Sequence, residues 1–279
     1  MKRELAIGGR TLVMGILNVT PDSFYDGGRY ADTERAMEHA RRMYREGADI
    51  IDVGGESSRP GAQPVSARDE MERVCPVIER IAGELDVMIS IDTCKAEVAE
   101  AAVGLGASMI NDISALGHDP RMAGIAAASG AHLILMHMKG TPRTMQDNPV
   151  YEDVIGEIAS FLKERAASAV SAGVAGNRII LDPGIGFGKT AADNYEILAN
   201  LGIFRELGFP LCIGLSRKSL IGGLYGGDVD RLPATIALNA AAARLGADII
   251  RVHDVREHRL ALAAVEMMKK APQRDAGLI

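Results

Sequence analysis

The sequence predicts an α/β fold, a (β/α)8 barrel of the TIM type, with a short N-terminal hairpin. Eight short β-branched or apolar runs alternate with eight amphipathic segments, and repeated strand–helix units form a parallel sheet. Eight such units are the number that closes a barrel. The predicted strands are apolar throughout, as expected when both faces of a sheet are covered. A doubly wound open sheet is the alternative, but it would leave the even run of eight units unexplained.

The predicted elements follow one another in strict order along the chain. The strands are residues 11–17, 49–53, 87–91, 108–113, 132–136, 178–181, 210–215 and 248–252. The helices are residues 33–46, 67–83, 95–104, 120–129, 151–172, 192–207, 233–245 and 257–270. A chain of 279 residues can bury the core of such a barrel, so we expect one domain over residues 1–279.

The turns carry signals of their own. Four predicted helices end in a Gly-Ala pair directly before a strand, which predicts left-handed glycine caps. These glycines are Gly47, Gly106, Gly130 and Gly246. Ser66 with Asp69 fits a capping box, and Pro120 and Pro233 fall where a first helical turn tolerates proline. The hairpin is predicted over residues 4–10, where it would plug the N-terminal end of the barrel.

Composition and charge argue against several classes of function. The formal net charge is -6 and the pI is about 5.6, with no basic block, so we expect no nucleic-acid partner. No apolar run approaches the roughly 20 residues of a membrane span, and the first residues are too polar for a secretion signal. Cys75, Cys94 and Cys212 lack paired spacing. We therefore expect buried thiols in a reducing cytoplasm, with neither disulfides nor a zinc site.

Polar side chains follow every predicted strand. A single aspartate after an apolar strand is more often a helix cap than a catalyst, but here all eight strands end in polar, hydrogen-bonding groups. Because strand ends of a closed barrel face one cavity, these groups predict a binding site at that rim. They are Asn18, Glu56, Asp92, Asn111 with Asp112, His137, Asp182, Ser216 to Lys218, and Arg251 with His253.

The chemistry of these groups divides into two sets. Asp92, Asn111 and Asp182 suit a flat polar heterocycle with an N–H and NH2 fork that a carboxylate can hold bidentately. Lys218 opposite them could meet the carbonyl group of that ring. The alternative is that Asp182 pairs with Lys218 or Arg251 in an empty barrel mouth.

The second set is cationic. Arg251, His253 and Arg59 suit a phosphate or a diphosphate, and Asn18 could add one ligand to Mg²⁺, which keeps most of its waters and takes few protein oxygens. Two loops, residues 18–28 and 54–62, mix Gly and Pro with polar groups and are typical of mobile lids. Residues 140–146 form a third candidate wall, with Met138 lining the pocket.

The sequence resembles the dihydropteroate synthases. The matching segments follow one another in the same order as in that family, from about residue 10 to 268. The motif Asp182-Pro-Gly and residues 91–93 also occur in other pterin-binding barrels, but the whole set is specific. The segments that carry the resemblance are residues 18–24, 51–61, 90–93, 110–112, 135–138, 181–189, 214–219 and 251–254.

The resemblance implies that 4-aminobenzoate condenses with 6-hydroxymethyl-7,8-dihydropterin diphosphate in folate synthesis and releases pyrophosphate. It implies three groups of residues. Those holding the pterin would be Asp92, Asn111, Asp182 and Lys218. Those holding the diphosphate and Mg²⁺ would be Asn18, Arg251 and His253. Those shaping the 4-aminobenzoate pocket would be Arg59, Pro60, Phe187, Ser216 and Lys218, with Ser216 meeting its carboxylate. Ser58, Met138 and Gly186 would also bind substrate.

Four of these residues, Asp92, Lys218, Arg251 and His253, would be catalytic. The family is typically a homodimer, and the alanine-rich helix 235–245 could pack either on a partner or on its own barrel. One departure is Ser58, where the family usually has threonine, and the lost methyl group could loosen packing on the aminobenzoate ring.

Two other functions remain open. A pterin-binding methyltransferase, passing a methyl group from a folate to a corrinoid, would share the acids but would not need the cationic set. A pterin-binding module without catalysis would not need the filled catalytic positions.

Overall fold

The computed structural model describes residue 5 and residues 7–20, 28–59, 61–218, 220–222 and 229–272, with backbone only for 28–31. Eight parallel strands lie in this part of the chain. They are β1 Leu12–Asn18, β2 Ile50–Gly54, β3 Met88–Asp92, β4 Met109–Asp112, β5 His132–Met136, β6 Ile179–Asp182, β7 Cys212–Ile213 and β8 Ile249–Val252.

Helices follow the strands and form the outer layer. The described helices are α1 Gly28–Arg45, α2 Ala67–Glu84, α3 Ala96–Gly104, α4 Met122–Ser129, α5 Val154–Ser171, α6 Ala191–Ala199, α7 Leu201–Arg205, α8 Leu232–Arg244 and α9 Val255–Lys270. A 3₁₀ turn, Gly176–Arg178, precedes β6. No helix in the described residues is both long enough and apolar enough to cross a membrane.

The strands run round a nearly closed barrel in the order β6-β5-β4-β3-β2-β1-β8-β7. The two ends of this sheet meet, because the backbone bridges Leu181 to Leu211 and the amide of Leu181 donates to the carbonyl of Pro210 at 2.9 Å. An open doubly wound sheet would leave its two edge strands apart. The predicted (β/α)8 barrel is therefore confirmed and the open sheet is not.

The core has two layers. The larger one lies between strands and helices, where Gly15 allows close packing: a Cβ there would come within 2.7 Å of Met43 Sδ. The smaller one fills the barrel interior with side chains from all eight strands. Leu5 and Ile7 pack against this inner layer, which supports the predicted plug. Residues 4 and 6 of the predicted hairpin lie outside the described residues, and residues 8–10 form a bend.

The turn signals are largely confirmed. All four predicted glycine caps have positive φ, from 65° at Gly130 to 121° at Gly106. Ser66 caps α2 by accepting from the amide of Asp69 at 3.1 Å, but the Asp69 carboxylate accepts from the Ser66 hydroxyl rather than from the backbone. The reciprocal half of the capping box is therefore absent in this pair.

Some predicted boundaries were wrong. The helix predicted over 192–207 is two helices, because Asn200 leaves helical geometry (φ -113°, ψ 26°) while its amide group bonds to the carbonyl of Glu196. Helix α4 begins two residues after Pro120, whereas Pro233 does lie in the first turn of α8. The first helix begins at Gly28 instead of residue 33, and β7 has only two residues.

Candidate active site

The register of the barrel brings the site residues onto one inner face. Successive residues of a strand point to opposite faces, so residues two apart share the interior. In the ladders, Asn18 is level with Gly54, Gly54 with Asp92, and Asp92 with Asn111. The residues below them, such as Met14, Ile50 and Met88, form the apolar inner layer. The polar groups therefore sit on an apolar floor at the carboxyl ends of the strands.

Arg251 lies among the acids and not in a separate cationic set. Its Nε donates to Asp52 Oδ2 at 2.6 Å and its Nη2 donates to Asp92 Oδ2 at 2.7 Å. Burial raises the pKa of Asp92 to about 7, although Arg251 opposes the rise. Burial also disfavours the charge on Arg251, but Asp52 and Asp92 outweigh it and raise the pKa of the guanidinium. The prediction that acids and cations occupy separate levels was wrong at this position.

Asp52 is a residue that the sequence reasoning missed. It is fully buried inside β2, and the same oxygen that binds Arg251 also accepts from Asn111 Nδ2 at 3.1 Å. Its other oxygen is buried with no hydrogen-bond partner in the described part of the protein. One carboxylate thus orients two predicted site residues. The sequence did contain a signal for Asp52, because it lies two residues before Gly54 and therefore points to the same inner face of the strand.

Asp182 ends β6 and is anchored by the loop that follows it. Its Oδ1 accepts from the amide of Gly184 at 2.7 Å, and burial raises its pKa while Lys218 opposes the rise. Among the described residues it forms no ion pair with Lys218 or Arg251 within 4.0 Å. The alternative reading, a direct ion pair that closes an empty mouth, is therefore not what the structure contains.

Lys218 reaches the same loop from the end of β7. Its Nζ donates to the carbonyl of Ile185 and lies 4.4 Å from the centroid of the Phe187 ring. Burial lowers the pKa of Lys218 to about 8, against the attraction of Asp182. Only glycine fits at Gly186, because φ is 79° and a Cβ would lie 2.9 Å from Lys218 Cδ. The structure therefore brings together Asp182, Gly186, Phe187 and Lys218.

Ser216 and His253 form a second contact across the mouth. The Ser216 hydroxyl lies 2.9 Å from His253 Nδ1 and accepts from the backbone N–H of His253 at 3.1 Å. Burial lowers the pKa of His253 to about 4, with further lowering by Arg251 and Arg217. His253 is therefore neutral at pH 7, and its prediction as one of three cations was wrong. Arg59 also lowers this pKa, which puts Arg59 on the same side of the mouth.

The loop after β2 is held at its stem. Lys95 Nζ bonds to the carboxylates of Glu56 and, at 2.6 Å, Glu70, while Arg73 donates to the carbonyl of Gly55 at 2.8 Å. Ser58 is half-buried and Arg59 is exposed. Pro60, like residues 21–27 of the first predicted lid, lies outside the described residues. The Glu56 side chain that was predicted for the rim is thus part of the anchor of this loop.

A cavity of about 510 Å³ opens beside the acids. Asp92, Ser58 and Met138 line it, whereas Asn111, Asp182, Lys218 and Arg251 do not. The cavity extends over the β3–β5 side, where its walls include Ile113, Ser114, Pro142, Phe161 and Arg165.

Cys94 also lines this cavity, two residues after β3. The expectation of buried thiols was wrong for Cys75 and Cys94. Cys75 and Cys94 are half-buried, Cys212 is buried, and all three are free thiols. Burial raises the pKa of the Cys94 thiol well above its usual value, so it is a poor nucleophile.

His137 does not face the mouth. Its Nδ1 lies 3.0 Å from Nζ of Lys189, a buried lysine that the sequence reasoning assigned no role. Burial lowers the pKa of His137 to about 3, and Lys189 lowers it further. A lysine at the end of the Gly-rich segment 184–189 was visible in the sequence, but nothing there indicated that it turns inward.

Comparisons with known proteins agree with this geometry. A family profile described as "Pterin binding enzyme" matches residues 14–253. A dihydropteroate synthase of Escherichia coli (strain K12) is 48% identical over 262 residues, which covers 94% of this chain and 93% of that protein. A Yersinia pestis dihydropteroate synthase in a sulfonamide drug complex superposes with a TM-score of 0.90 at 44% identity, covering 97% of this chain and 99% of that one. A Xanthomonas albilineans dihydropteroate synthase with 4-aminobenzoic acid gives 0.88 at 45% identity, covering 94% of each chain.

Proposed function

The chain belongs to the dihydropteroate synthases, a family of pterin-binding enzymes, and on this basis we propose how its barrel mouth carries out their reaction. The substrates are 6-hydroxymethyl-7,8-dihydropterin diphosphate and 4-aminobenzoate, and the products are 7,8-dihydropteroate and pyrophosphate. One observation carries the proposal: buried acids from β2, β3 and β6 share the barrel mouth with Arg251 and Lys218. Such a cluster suits a flat, polar ring with donors on one edge and a carbonyl on another.

The pterin is held on the β6–β7 side of the mouth. Asp182 accepts from the N–H and NH2 groups of the ring, and Lys218 donates to the ring carbonyl. Lys218 can do so without leaving the carbonyl of Ile185, because an ammonium group has three donors. Asn111, held by Asp52, meets the opposite edge of the ring.

The electrostatics favour departure of the diphosphate. When both acids are ionised, Asp52 and Asp92 with Arg251 carry a net charge of one minus, fixed in place before the reaction. Positive charge that develops at the pterin methylene is stabilised by this cluster. The C–O bond breaks with its electron pair going to pyrophosphate, the amine of 4-aminobenzoate forms the C–N bond, and the amine releases one proton.

Neutral His253 stands where the diphosphate enters. Ser216 holds the His253 ring through Nδ1, which fixes its orientation. Ser58, Arg59 and Phe187 bound the space for the 4-aminobenzoate ring, together with Pro60. No covalent nucleophile is required, since positioning of two reactants supplies roughly 7–11 kcal/mol in favourable cases.

Magnesium fits this site as a companion of the diphosphate. Asn18 Oδ1 and Asp92 Oδ2 lie 3.8 and 3.7 Å from the point that a Cβ of Gly54 would occupy, so oxygen ligands flank one small space. The described residues contain no cluster of three or more His, Cys, Asp or Glu side chains that could hold a metal alone. Asn18 would thus supply one protein ligand, and the diphosphate and water would supply the others. When bound, the ion neutralises charge on the leaving group.

The reaction is tested by pyrophosphate release. Release should depend on added 4-aminobenzoate and on Mg²⁺, and chelation with EDTA should stop it reversibly. Lys218→Ala and Asp182→Ala should abolish pterin binding in calorimetry, because each holds one edge of the ring. Binding of the pterin to either variant as tightly as to the parent would refute the assignment of that residue.

The 4-aminobenzoate pocket is tested separately. Arg59→Ala should raise KM for 4-aminobenzoate while the pterin dissociation constant stays unchanged. The reason is that Arg59 lies on the loop after β2 and not among the buried acids of the barrel mouth. Equal losses for both substrates would show that the loop has been misassigned.

We also propose a homodimer. Helix α8 buries Thr235, Asn239, Ala242 and Ala243 against its own barrel. Beside it, α9 exposes a stripe of Leu260, Met267 and Met268, each at least 64% accessible, and such a stripe on a soluble protein marks an interface. Sedimentation should give twice the chain mass, and Leu260→Glu should give a monomer. A monomeric parent at micromolar concentration would contradict this.

Two proposals concern the whole chain. We propose that residues 1–279 fold as one domain, which predicts a single cooperative unfolding transition. We propose that it works in the cytoplasm, since its three thiols are unpaired. Cell fractionation and thiol titration test the location, and two separated unfolding transitions would contradict the single domain.

A further inference from the structure

Lys189 is a buried cation that the proposed reaction does not use. It follows the glycine-rich loop of residues 183–188, between β6 and α6, and is only 3% exposed. Its Nζ lies within hydrogen-bond distance of four acceptors. They are Gly184 O at 2.9 Å, Phe187 O at 2.9 Å, His137 O at 3.2 Å and His137 Nδ1 at 3.0 Å.

These contacts tie the loop to the end of β5. Gly184 (φ 71°) packs so closely there that a Cβ would come 1.9 Å from the carbonyl oxygen of His137. The carbonyl groups of Gly184 and Phe187 both turn inward to the ammonium group. Without it, they would be buried polar groups lacking this donor, which a protein interior disfavours. The inward fold of the loop therefore depends on the Lys189 side chain.

The same loop holds the proposed pterin residues. The amide of Gly184 donates to Asp182, the carbonyl of Ile185 accepts from Lys218, and the ring of Phe187 lies under the Lys218 ammonium group. Lys189 touches none of these side chains through a hydrogen bond. It nevertheless influences their positions, because it holds the backbone of the loop to which they are bonded.

A cation at this position is unfavourable for the fold. Burial lowers the pKa of Lys189 to about 7, with attraction to Asp182 and Asp193 opposing the shift and Lys218 adding to it. His137 is the remaining titratable group in contact with it, from β5. A residue required only for packing would be apolar here, because an apolar side chain needs no desolvation of charge.

We propose that Lys189 is a positioning residue for pterin binding: it folds the loop of residues 183–188 so that Asp182 and Lys218 meet the ring. This rests on the proposed function, because it assumes that those two residues contact the pterin. Lys189 acts through the loop and touches no reacting atom. Its removal should therefore affect the pterin site more strongly than the 4-aminobenzoate pocket, since Ser58 and Arg59 of that pocket lie on the separate loop after β2.

The test compares Lys189→Met with Tyr151→Phe. Methionine keeps an unbranched side chain, one atom shorter than that of lysine, and removes every donor. The Tyr151 hydroxyl also bonds to this loop, donating to the carbonyl of Gly188 at 2.7 Å, but within the described part of the chain Gly188 has no hydrogen bond to a proposed pterin residue. Calorimetry with the pterin diphosphate and steady-state kinetics with 4-aminobenzoate are measured on both variants, with thermal unfolding as the control for folding.

Lys189→Met should bind the pterin about 30-fold more weakly, equivalent to losing one or two charged hydrogen bonds. Its KM for 4-aminobenzoate, at saturating pterin, should change by a smaller factor than the pterin dissociation constant, because Phe187 is the only residue of that pocket among the acceptors of Lys189. Tyr151→Phe should bind the pterin like the parent. A lower melting temperature for Lys189→Met with an unchanged pterin dissociation constant would mean that Lys189 is only structural, and would overturn the proposal.

A second variant guards against misfolding. If Lys189→Met does not fold, Lys189→Gln takes its place, because glutamine keeps a donor and should allow folding. Its pterin dissociation constant should be higher than that of the parent but still measurable by calorimetry. Parent-like affinity would again overturn the proposal. Failure of the parent itself to bind the pterin would instead reject the proposed function, so the two failures are distinguishable.

Discussion

Asp52 is the carboxylate on which the orientation of Asn111 and Arg251 depends. One oxygen accepts from both side chains, at 3.1 and 2.6 Å, and the residue is completely buried. A buried ion pair gives little net stability, but loss of one partner leaves a buried charge poorly compensated. Without the Asp52 carboxylate, Arg251 would pair with Asp92 alone. Asp52 therefore acts on the ligand through its two neighbours.

We expect Asp52→Asn to weaken pterin binding by about 10- to 100-fold, the size of a lost hydrogen bond to a charged group. The matched control is Asp49→Asn at the start of the same segment, where the carboxylate pairs with Arg10 and Arg259 near the opposite end of the barrel. Both variants lose a buried or half-buried ion pair. Only Asp52→Asn should change the pterin dissociation constant in calorimetry, and similar changes in both would contradict the positioning role.

The sequence predicted residues that end strands but not those inside them. Asp92 and Asp182 interrupt an apolar run at its last residue, so they are visible in the sequence. Asp52 is followed by two more strand residues, and only the period of two along an inner face would have identified it. The pairing of Arg251 with two acids could not be predicted, because it depends on distances across the barrel between β2, β3 and β8.

At the scale of elements, the loop after β2 is anchored at its stem by helices α2 and α3. Glu56 reaches Lys95, and Lys95 also meets the fully buried Glu70 on α2. The residues that follow Glu56 are those proposed to bound the 4-aminobenzoate pocket. The loop therefore has a fixed stem and an exposed tip at Arg59.

We expect Glu56→Gln to raise KM for 4-aminobenzoate by about 3- to 10-fold, because the stem of the loop loses an ion pair worth about 1 kcal/mol. Lys95 keeps Glu70, so the fold should be retained and the pterin dissociation constant should not change. Glu84→Gln is the control, since Glu84 ends the same helix α2 and pairs with Arg41 and Arg80. An unchanged KM in Glu56→Gln would show that this anchor does not support the pocket.

Elements with a local cause were predicted better than those decided by packing. The four glycine caps follow from a backbone conformation that glycine adopts readily, and all four were found. The break at Asn200 was missed because the apolar periodicity continues across it. The shortness of β7 was missed because pairing with β8 and β6 decides how much of an apolar run becomes a strand.

At the scale of the whole molecule, the barrel is apolar at one end and polar at the other. The inner layer formed by residues such as Met14, Ile50 and Ile249 supports the acids and cations above it. Burial at that end shifts pKa values in two directions. It raises those of Asp92 and Asp182 and lowers that of His253. At the other end of the strands, burial also lowers the pKa of His132, at the start of β5.

These shifts predict how stability depends on pH. Burial lowers the pKa of His132 and His253 to about 4 and of His137 to about 3. As the pH falls, the unfolded chain therefore binds protons at these histidines before the folded protein does. Their contribution is complete above pH 6.5 and is lost as the pH falls toward the folded pKa. Asp92, with a folded pKa of about 7, and Asp182, whose pKa burial also raises, act in the opposite sense, because the folded protein binds their protons first. Three histidines against two acids give a net loss of stability with acid.

We therefore expect the free energy of unfolding in urea to fall between pH 7 and 5.5, with each buried histidine contributing about 1 kcal/mol to the drop. His132→Gln should make the drop smaller by that amount, since glutamine can still accept from Arg178, which lies 2.8 Å from His132 Nε2, and does not titrate. The control is His118→Gln, which replaces an exposed histidine and should leave the drop unchanged. A drop of the same size in the His132 variant as in the parent would mean that His132 does not contribute to acid sensitivity.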